Sequence, residues 1–489
     1  MNRRLSWISS GITGNRWTLF SAILPGLILI SVFAKIGIFP FGDGTLLLSD
    51  MSTQYVDFMA EYQRILHGNG SLFYSWHAGI GLNFLGLFAY YLSSPFNLLL
   101  FFFPEKNLLD AITLITVLKI SGCGLTFAIY LRGRFADRQS SGVMLVAFSA
   151  AYALMGYSVA YAFNIIWLDG VLLLPLLCLS LDRLIQGRGW LGCVLVYALL
   201  FLSNFYIASM VGVFSVLYFL AGLVNAEPRM GWTLLLKRCA LFAAAVLLAA
   251  GVSAFLLLPA YYVLNDNMGL IGQSFPAFAM QFAPADLFGK LLIGTYDGLK
   301  GNLPHIYSGL LCLCLLPLYF FAPGVRNGRK LSTALLMILL LVSFNLAPLD
   351  FFWHAFDYPS WFPYRYSFLF SFLILTAAFE GSLHLGTIPR KYLFHFLSLD
   401  RTGWWRVDPG SENGSGTNQR GPFLSEPELS LDLRYPAFHW LIAASCGSMV
   451  AVGAGDYGVL AEYGGRFRAL PDRCAGPHRL CGVSRPLPI

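Results

Sequence analysis

The sequence predicts an all-α polytopic membrane protein of about ten spans, with a long first loop on the extracytoplasmic side. Three observations predict it. The 489 residues are 57% hydrophobic and only 12% charged, with a mean hydropathy of +0.65, against about 25% charged residues in a soluble domain. The apolar residues gather into runs close to the roughly 20 residues that one bilayer crossing needs. Lys and Arg cluster in the short segments between runs, as cytoplasmic loops require. A soluble fold, a disordered chain and a disulfide-stapled secreted module are excluded.

The first run, 17–40, follows Arg3, Arg4 and Arg16. It is too long for a signal-peptide core and no small-residue cleavage site follows, so it predicts a span with a cytoplasmic N-terminus. Further spans are predicted over about 108–131, 140–161, 165–182, 190–203, 207–222, 239–263, 305–322, 331–349 and 366–386. The spans 190–203 and 207–222 come from one apolar run, 190–222, broken in the middle by Ser203-Asn204-Phe205-Tyr206 and read as two short helices meeting at a polar elbow.

Basic residues test this count. The clusters are Arg132/Arg134/Arg138, Arg183/Arg188, Arg229/Lys237/Arg238, Arg326/Arg329/Lys330 and Arg390/Lys391. All fall on the N-terminal side if the elbow counts as two crossings and segment 83–104 does not cross. That segment holds Tyr90-Tyr91-Leu92-Ser93-Ser94-Pro95 and reads as an interfacial or re-entrant piece with aromatic anchors. The same parity puts 41–107, the 161–165 turn, the Asn204 elbow, 264–304 and 350–365 outside. These segments are long, acidic and aromatic, so the chemistry belongs on that face.

A membrane core is therefore expected over 1–388, followed by a Gly/Pro/Arg-rich tail, 389–489, that reads as disordered or aberrant. Within the tail, Ala437 to Gly455 is a weak candidate span, and the Asn413-Gly414-Ser415 sequon falls on the cytoplasmic side. A shifted reading frame near residue 390 would produce such a change, and resequencing tests it. Nine cysteines, at 123, 178, 193, 239, 312, 314, 446, 474 and 481, form no framework; most sit singly in apolar runs, where Cys acts as a small hydrophobe. Cys312 and Cys314 lack His neighbours and read as helix residues rather than zinc ligands. The net charge of +7 lies in the loops, so the predicted partner is the lipid bilayer and not nucleic acid.

In the first outer loop, Asp50, Gln54, Asp57 and Glu61 fall at helical spacings of three and four, so one short helix would show them on one face. A carboxylate held there against apolar walls can act as a general base; the bland reading is a solvated amphipathic loop. Trp76-His77-Ala78-Gly79-Ile80-Gly81 lacks phosphate-loop spacing, which argues against a nucleotide site. Ionisable residues in or beside the membrane are costly and usually have a task. Lys119 lies mid-span, Asp169 follows Trp167-Leu168, and Arg365 sits at an outer mouth, against the inside bias. Arg365 therefore needs an anionic partner, either a phosphate or Asp169 in a structural ion pair. A divalent cation on the acid-rich face is a further alternative, without dedicated ligand spacing, and no metal ligand or cofactor is assigned.

Several blocks, in order, resemble the bacterial YfhO family: Ser49-Asp50-Met51-Ser52-Thr53-Gln54-Tyr55, Tyr74-Ser75-Trp76, Tyr90 to Asn97, Trp167-Leu168-Asp169, Ser203-Asn204-Phe205-Tyr206, His305 to Gly309 and Trp361 to Phe368. The resemblance covers about 15–388; members usually continue with more spans and a large outer domain, from which this sequence departs. It implies a glycosyltransferase of GT-C architecture. The implied donor is a polyprenyl-phosphate-linked sugar, and the acceptor a cell-envelope polymer such as lipoteichoic acid on the extracytoplasmic face of the cell membrane. The acidic residue that GT-C enzymes use in the first outer loop falls on Asp50, the candidate base. Candidate substrate-binding residues are Gln54, Tyr55, Asp57, Asp169, Asn204, Tyr206, Tyr364 and Arg365. A membrane-embedded phosphate as leaving group also explains the missing nucleotide motif.

Two other classes compete. A lipid-linked sugar flippase or polymer transporter would share the spans and intramembrane charges, but it would more often show related halves and midplane broken helices, which are not evident. A non-catalytic scaffold would not require the long acidic loop.

Overall fold

The computed structural model describes residues 16–387 apart from 78–79, 139, 227–228, 268–274, 295–302, 358 and 360. The predicted tail at 389–489, with its candidate span and sequon, lies outside the described residues.

The protein is predominantly helical. Helix α1 (Arg16–Ile36) leads into the first long loop, which holds a π-helical turn (Met51–Tyr55), α2 (Val56–Leu66) and a two-stranded hairpin, β1 (Tyr74–Ser75) and β2 (Leu82–Asn83). The segment α3 (Phe84–Leu87) continues in a π turn to Leu92, then bends by 103° into a 3₁₀ stretch, Pro95–Phe102. Pro95 cannot donate a backbone hydrogen bond, which favours the break here. Next come α4 (Leu108–Arg134), α5 (Gly142–Ala153), α6 (Gly156–Ala160), α7 (Leu168–Gln186), α8 (Leu191–Ser203), α9 (Phe205–Val224) and α10 (Trp232–Asn267). The chain continues through α11 (Asp286–Gly289), α12 (Leu310–Phe321), α13 (Asn327–Asn345), α14 (Ala347–Trp353) and α15 (Phe368–Leu383).

Two helices form the centre of the bundle. Helix α4 packs on α1, α5 and α7. Helix α15 packs on α12, α5 and α13, and every residue from Phe368 to Gly381 is buried. A helix apolar on all sides has to be surrounded by others, and α15 is. Small residues allow the close crossings. A Cβ on Gly124 would stand 2.2 Å from the Ser21 carbonyl oxygen of α1, and one on Gly381 would stand 2.8 Å from the Tyr319 nitrogen of α12. Outer helices show lipid-like surfaces: α10 exposes Leu247, Phe255, Tyr261 and Tyr262.

Asn204 makes the elbow. Its extended backbone ends α8, its Oδ1 accepts from the Ile207 N–H at 2.8 Å to cap α9, and its Nδ2 donates to the Tyr90 carbonyl at 3.0 Å. One side chain thus stops a helix, starts the next, and ties both to the bent segment.

Five helices among the described residues are long and apolar enough to cross a bilayer: Arg16–Ile36, Glu105–Arg134, Phe205–Val224, Trp232–Val263 and Asn327–Asn345; a sixth arises if the bent pair 84–102 counts as one. This is fewer than the ten expected. Helices α5, α8, α12 and α15 are apolar but shorter, and α7 carries Asp169, Asp182 and Arg183. The run read as one span over 140–161 is two helices, α5 and α6, broken at Leu154–Met155. Helices inside a bundle are shielded by their neighbours, so they need neither full length nor uniform apolarity.

Helices α4, α7, α9 and α15 all run in one direction, from the end bearing the long first loop (the loop face) to the end bearing the arginine clusters (the basic face). Twenty residues of α9 rise about 30 Å, the thickness of a bilayer's hydrocarbon core.

Candidate functional site

The long first loop delivers Asp50 to the loop face. Ser49 adopts a left-handed backbone (φ 46°), and Asp50 opens the π-helical turn. Tyr55, at the end of that turn, is buried and donates to Asn164 Oδ1 at 2.9 Å. Gln54 Oε1 accepts from the Tyr91 hydroxyl at 3.2 Å. Of the four acidic and amide residues, Asp57 is exposed. Glu61 instead holds the hairpin, accepting from Ser75 Oγ at 2.7 Å and meeting His77 Nδ1 at 3.2 Å. Burial alone would raise the Glu61 pKa, but those two partners outweigh it and hold the carboxyl below its ordinary range.

Arg365 arrives from the other end of the chain, on a contorted turn. Phe362 (φ 54°) and Tyr364 (φ 58°) are both left-handed, a conformation that costs bulky residues about 1–3 kcal/mol each. Tyrosines hold the turn: Tyr157 donates to the Arg365 carbonyl at 2.9 Å and Tyr161 to that of Pro363 at 3.4 Å. The guanidinium donates back to the carbonyls of Trp361 (2.9 Å) and Phe362 (3.2 Å). Its Cζ lies over two rings, 4.8 Å from the Trp167 centroid and 5.3 Å from that of Tyr206. Backbone strain thus sits immediately before both charged groups, Asp50 and Arg365, which is where functional sites concentrate it.

The two charges act on each other. Burial is the largest influence on Asp50 and raises its pKa; Arg365, followed by the Tyr55 hydroxyl, partly offsets this. Net, the carboxyl sits above its ordinary range. Among the described residues no direct ion pair joins Asp50 to Arg365. Three helix N-termini converge on the same place: Trp167 caps α7, Tyr206 opens α9, and Arg365 lies three residues before α15. Helix N-termini carry partial positive charge and unsatisfied N–H groups. With Arg365 they favour an anion.

The other predicted residues divide. Asn204 and Tyr206 join the cluster through Tyr90, whose ring meets that of Tyr206 at 6.4 Å. Asp169 does not pair with Arg365: it is 3% exposed, receives Lys119 Nζ at 2.7 Å and Ser94 Oγ at 3.0 Å, and so lies beneath the cluster. Tyr364 is buried and donates to Gln281 Oε1 at 3.2 Å. It belongs to a neighbouring network around Asp350, which receives Gln281 Nε2 (3.2 Å) and Tyr366 (3.0 Å) and faces His354 Nδ1 at 3.3 Å. Sequence reasoning missed Tyr91, Asn164 and this network. Tyr91 and Tyr366 carried a signal, each as part of a quoted block.

A polar cavity of about 480 Å³ opens at the basic face, far from Asp50. Arg134 pairs with Asp182 at 2.7 Å and Arg329 with Glu380 at 2.6 Å on its wall. Arg188, Arg326 and Asp137 also line it. Four arginines against three acids leave little excess charge, and the C-termini of α4, α7, α9 and α15 oppose even that. Arg134 and Arg329 are held by these acids, and Arg326 donates to the Asn225 carbonyl at the end of α9 at 3.1 Å. Among the described residues no three His, Cys, Asp or Glu gather as a metal shell.

Fold and site together define a multi-pass helical membrane protein with a charged, aromatic cluster at one end of its bundle. The sequence profile of the family described as "Bacterial membrane protein YfhO" matches residues 21–401, and the chain belongs to that family. No curated protein and no solved structure shows a match to it.

Proposed function

We propose that the protein is a glycosyltransferase of GT-C type, with ten spans and a cytoplasmic N-terminus. It moves a sugar from a polyprenyl-phosphate donor to an extracytoplasmic cell-envelope acceptor such as lipoteichoic acid. One observation carries this reading: a carboxyl whose pKa is raised and a guanidinium act on each other, with no ion pair between them among the described residues, where three helix N-termini meet. A base and an anion holder are the two groups that transfer from a lipid phosphate requires.

Asp50 takes the proton of the acceptor hydroxyl as that oxygen bonds to the anomeric carbon. The bond from that carbon to the phosphate oxygen breaks, and polyprenyl phosphate leaves. Its charge is met by Arg365 and the helix N-termini. Trp167 and Tyr206 hold the guanidinium plane, while Gln54 and Tyr55 fix the turn that carries Asp50. Asn204 fixes the elbow, and Asp169 and Tyr364 support from below and beside. Asp57 orients the loop.

The test is transfer in proteoliposomes from a polyprenyl-phosphate donor with a radiolabelled sugar. Label appearing on the acceptor, and lost in Asp50→Asn, is the expected result. Label that only crosses the bilayer, with no new glycosidic bond, identifies a flippase instead. Transfer undiminished by a chelator is expected, since Arg365 rather than a metal holds the phosphate.

A further inference from the structure

The hairpin of the first loop presents apolar side chains, Phe73 at its base and Trp76 and Ile80 toward its tip, that nothing in the described chain covers. Phe73, Trp76 and Ile80 are 70%, 74% and 97% exposed, on a scaffold built to hold them outward. Glu61 clamps Ser75 and His77 from α2, the Phe84 N–H donates to the Phe73 carbonyl at 3.0 Å, and Tyr74 braces Trp76 edge-on at 4.9 Å. Single exposed apolar residues are ordinary, but a rigid group of them marks a contact surface.

Position names the partner. Strand β2 runs directly into α3, which packs on α10 with Gly86 against Val263. Val263 follows Tyr261 and Tyr262, which are 60% and 63% exposed at the loop-face end of this lipid-like helix. Tyrosine pairs at the end of an apolar span mark the level where acyl chains meet headgroups. The hairpin therefore leaves the bundle at that level, continuous with the lipid-facing surface of α10. We propose that Phe73, Trp76 and Ile80 insert into the bilayer interface, and that this anchor sets the height of α2, and with it Asp50, above the membrane.

The lever is short. Glu61, which grips the hairpin, lies 11 residues beyond Asp50 along nearly continuous helix, about 16 Å. The proposal stands apart from glycosyl transfer, since it concerns where the loop sits and not what it catalyses.

Nitroxide labels test it on the full chain in proteoliposomes, in a background whose native cysteines are replaced. Labels enter through Trp76→Cys and Ile80→Cys, with Tyr262→Cys as the lipid-level reference and Asn69→Cys, in the exposed polar bend after α2, as the aqueous one. Oxygen should relax the labels at 76, 80 and 262 more than a water-soluble nickel chelate does, and the order should reverse at 69. Chelate-dominated relaxation at both 76 and 80 overturns the anchor. For the lever, a label at Ser52, beside Asp50, should become more accessible to the chelate in Trp76→Ser/Ile80→Ser. Unchanged accessibility at Ser52 overturns the height-setting role.

Discussion

Asp50 and Arg365 make separable demands at the residue scale. Asp50→Asn keeps shape and removes the proposed base, so transfer should fall by at least about 10²-fold with membrane insertion unchanged; a wild-type rate would remove Asp50 from the mechanism. Asp57→Asn, at an exposed position, should be milder. Arg365→Lys retains the charge but loses the flat guanidinium that stacks on Trp167 and Tyr206. Its activity should fall further than charge alone implies, and near-normal turnover would reduce Arg365 to a structural role.

The pH profile links the two. Burial raises the Asp50 pKa while Arg365 lowers it, so the acid limb of kcat should lie above that of an ordinary carboxylate. Removing the cation in Arg365→Gln favours the protonated form, which should move the limb higher still. A downward or absent shift would mean that Arg365 does not act on the base.

Much of this was legible in the residues: Asp50 stood out by its block, Arg365 by violating the inside bias. The left-handed backbones of Ser49, Phe362 and Tyr364 were not, because no glycine marked them.

At the scale of elements, the Asn204 elbow was readable because polar residues interrupt an apolar run. Its bond to Tyr90 was not, since it depends on how the bent segment packs. Asn204→Ser keeps the cap on α9 and gives up the reach to Tyr90. It should unfold close to wild type yet transfer more slowly, whereas Asn204→Ala should also lose about 1 kcal/mol of cap energy. Wild-type transfer by Asn204→Ser would make the Tyr90 tie irrelevant, and equal stability of the two variants in denaturant titration would make the cap so. Helix α15 shows how a short apolar run can sit within the bundle: its neighbours supply the apolar environment that its length does not.

For the whole molecule, parity of the basic clusters predicts sidedness. Cysteines placed at 50 and 365 should react with an impermeant reagent added outside intact cells, while those at 134 and 329 should not. Outside labelling at 134 would invert the assignment of faces and remove the acceptor polymer from reach of the site.

The buried pair of Lys119 and Asp169 carries a consequence for biogenesis. Lys119 reaches the membrane 50 residues before its partner exists, an interval of about 3–10 s at ordinary translation speeds. Meanwhile a lone ammonium in mid-helix costs about 2.5–3.5 kcal/mol to leave in lipid. Helix α4 therefore has reason to linger beside the insertion machinery until α7 emerges and releases it. Either single substitution to leucine strands a charge, whereas the double substitution strands none, so yield should fall in the singles and recover in the double. If yield follows that pattern, the ion pair orders the assembly of a bundle whose loop-face end can form only once α7 is in place.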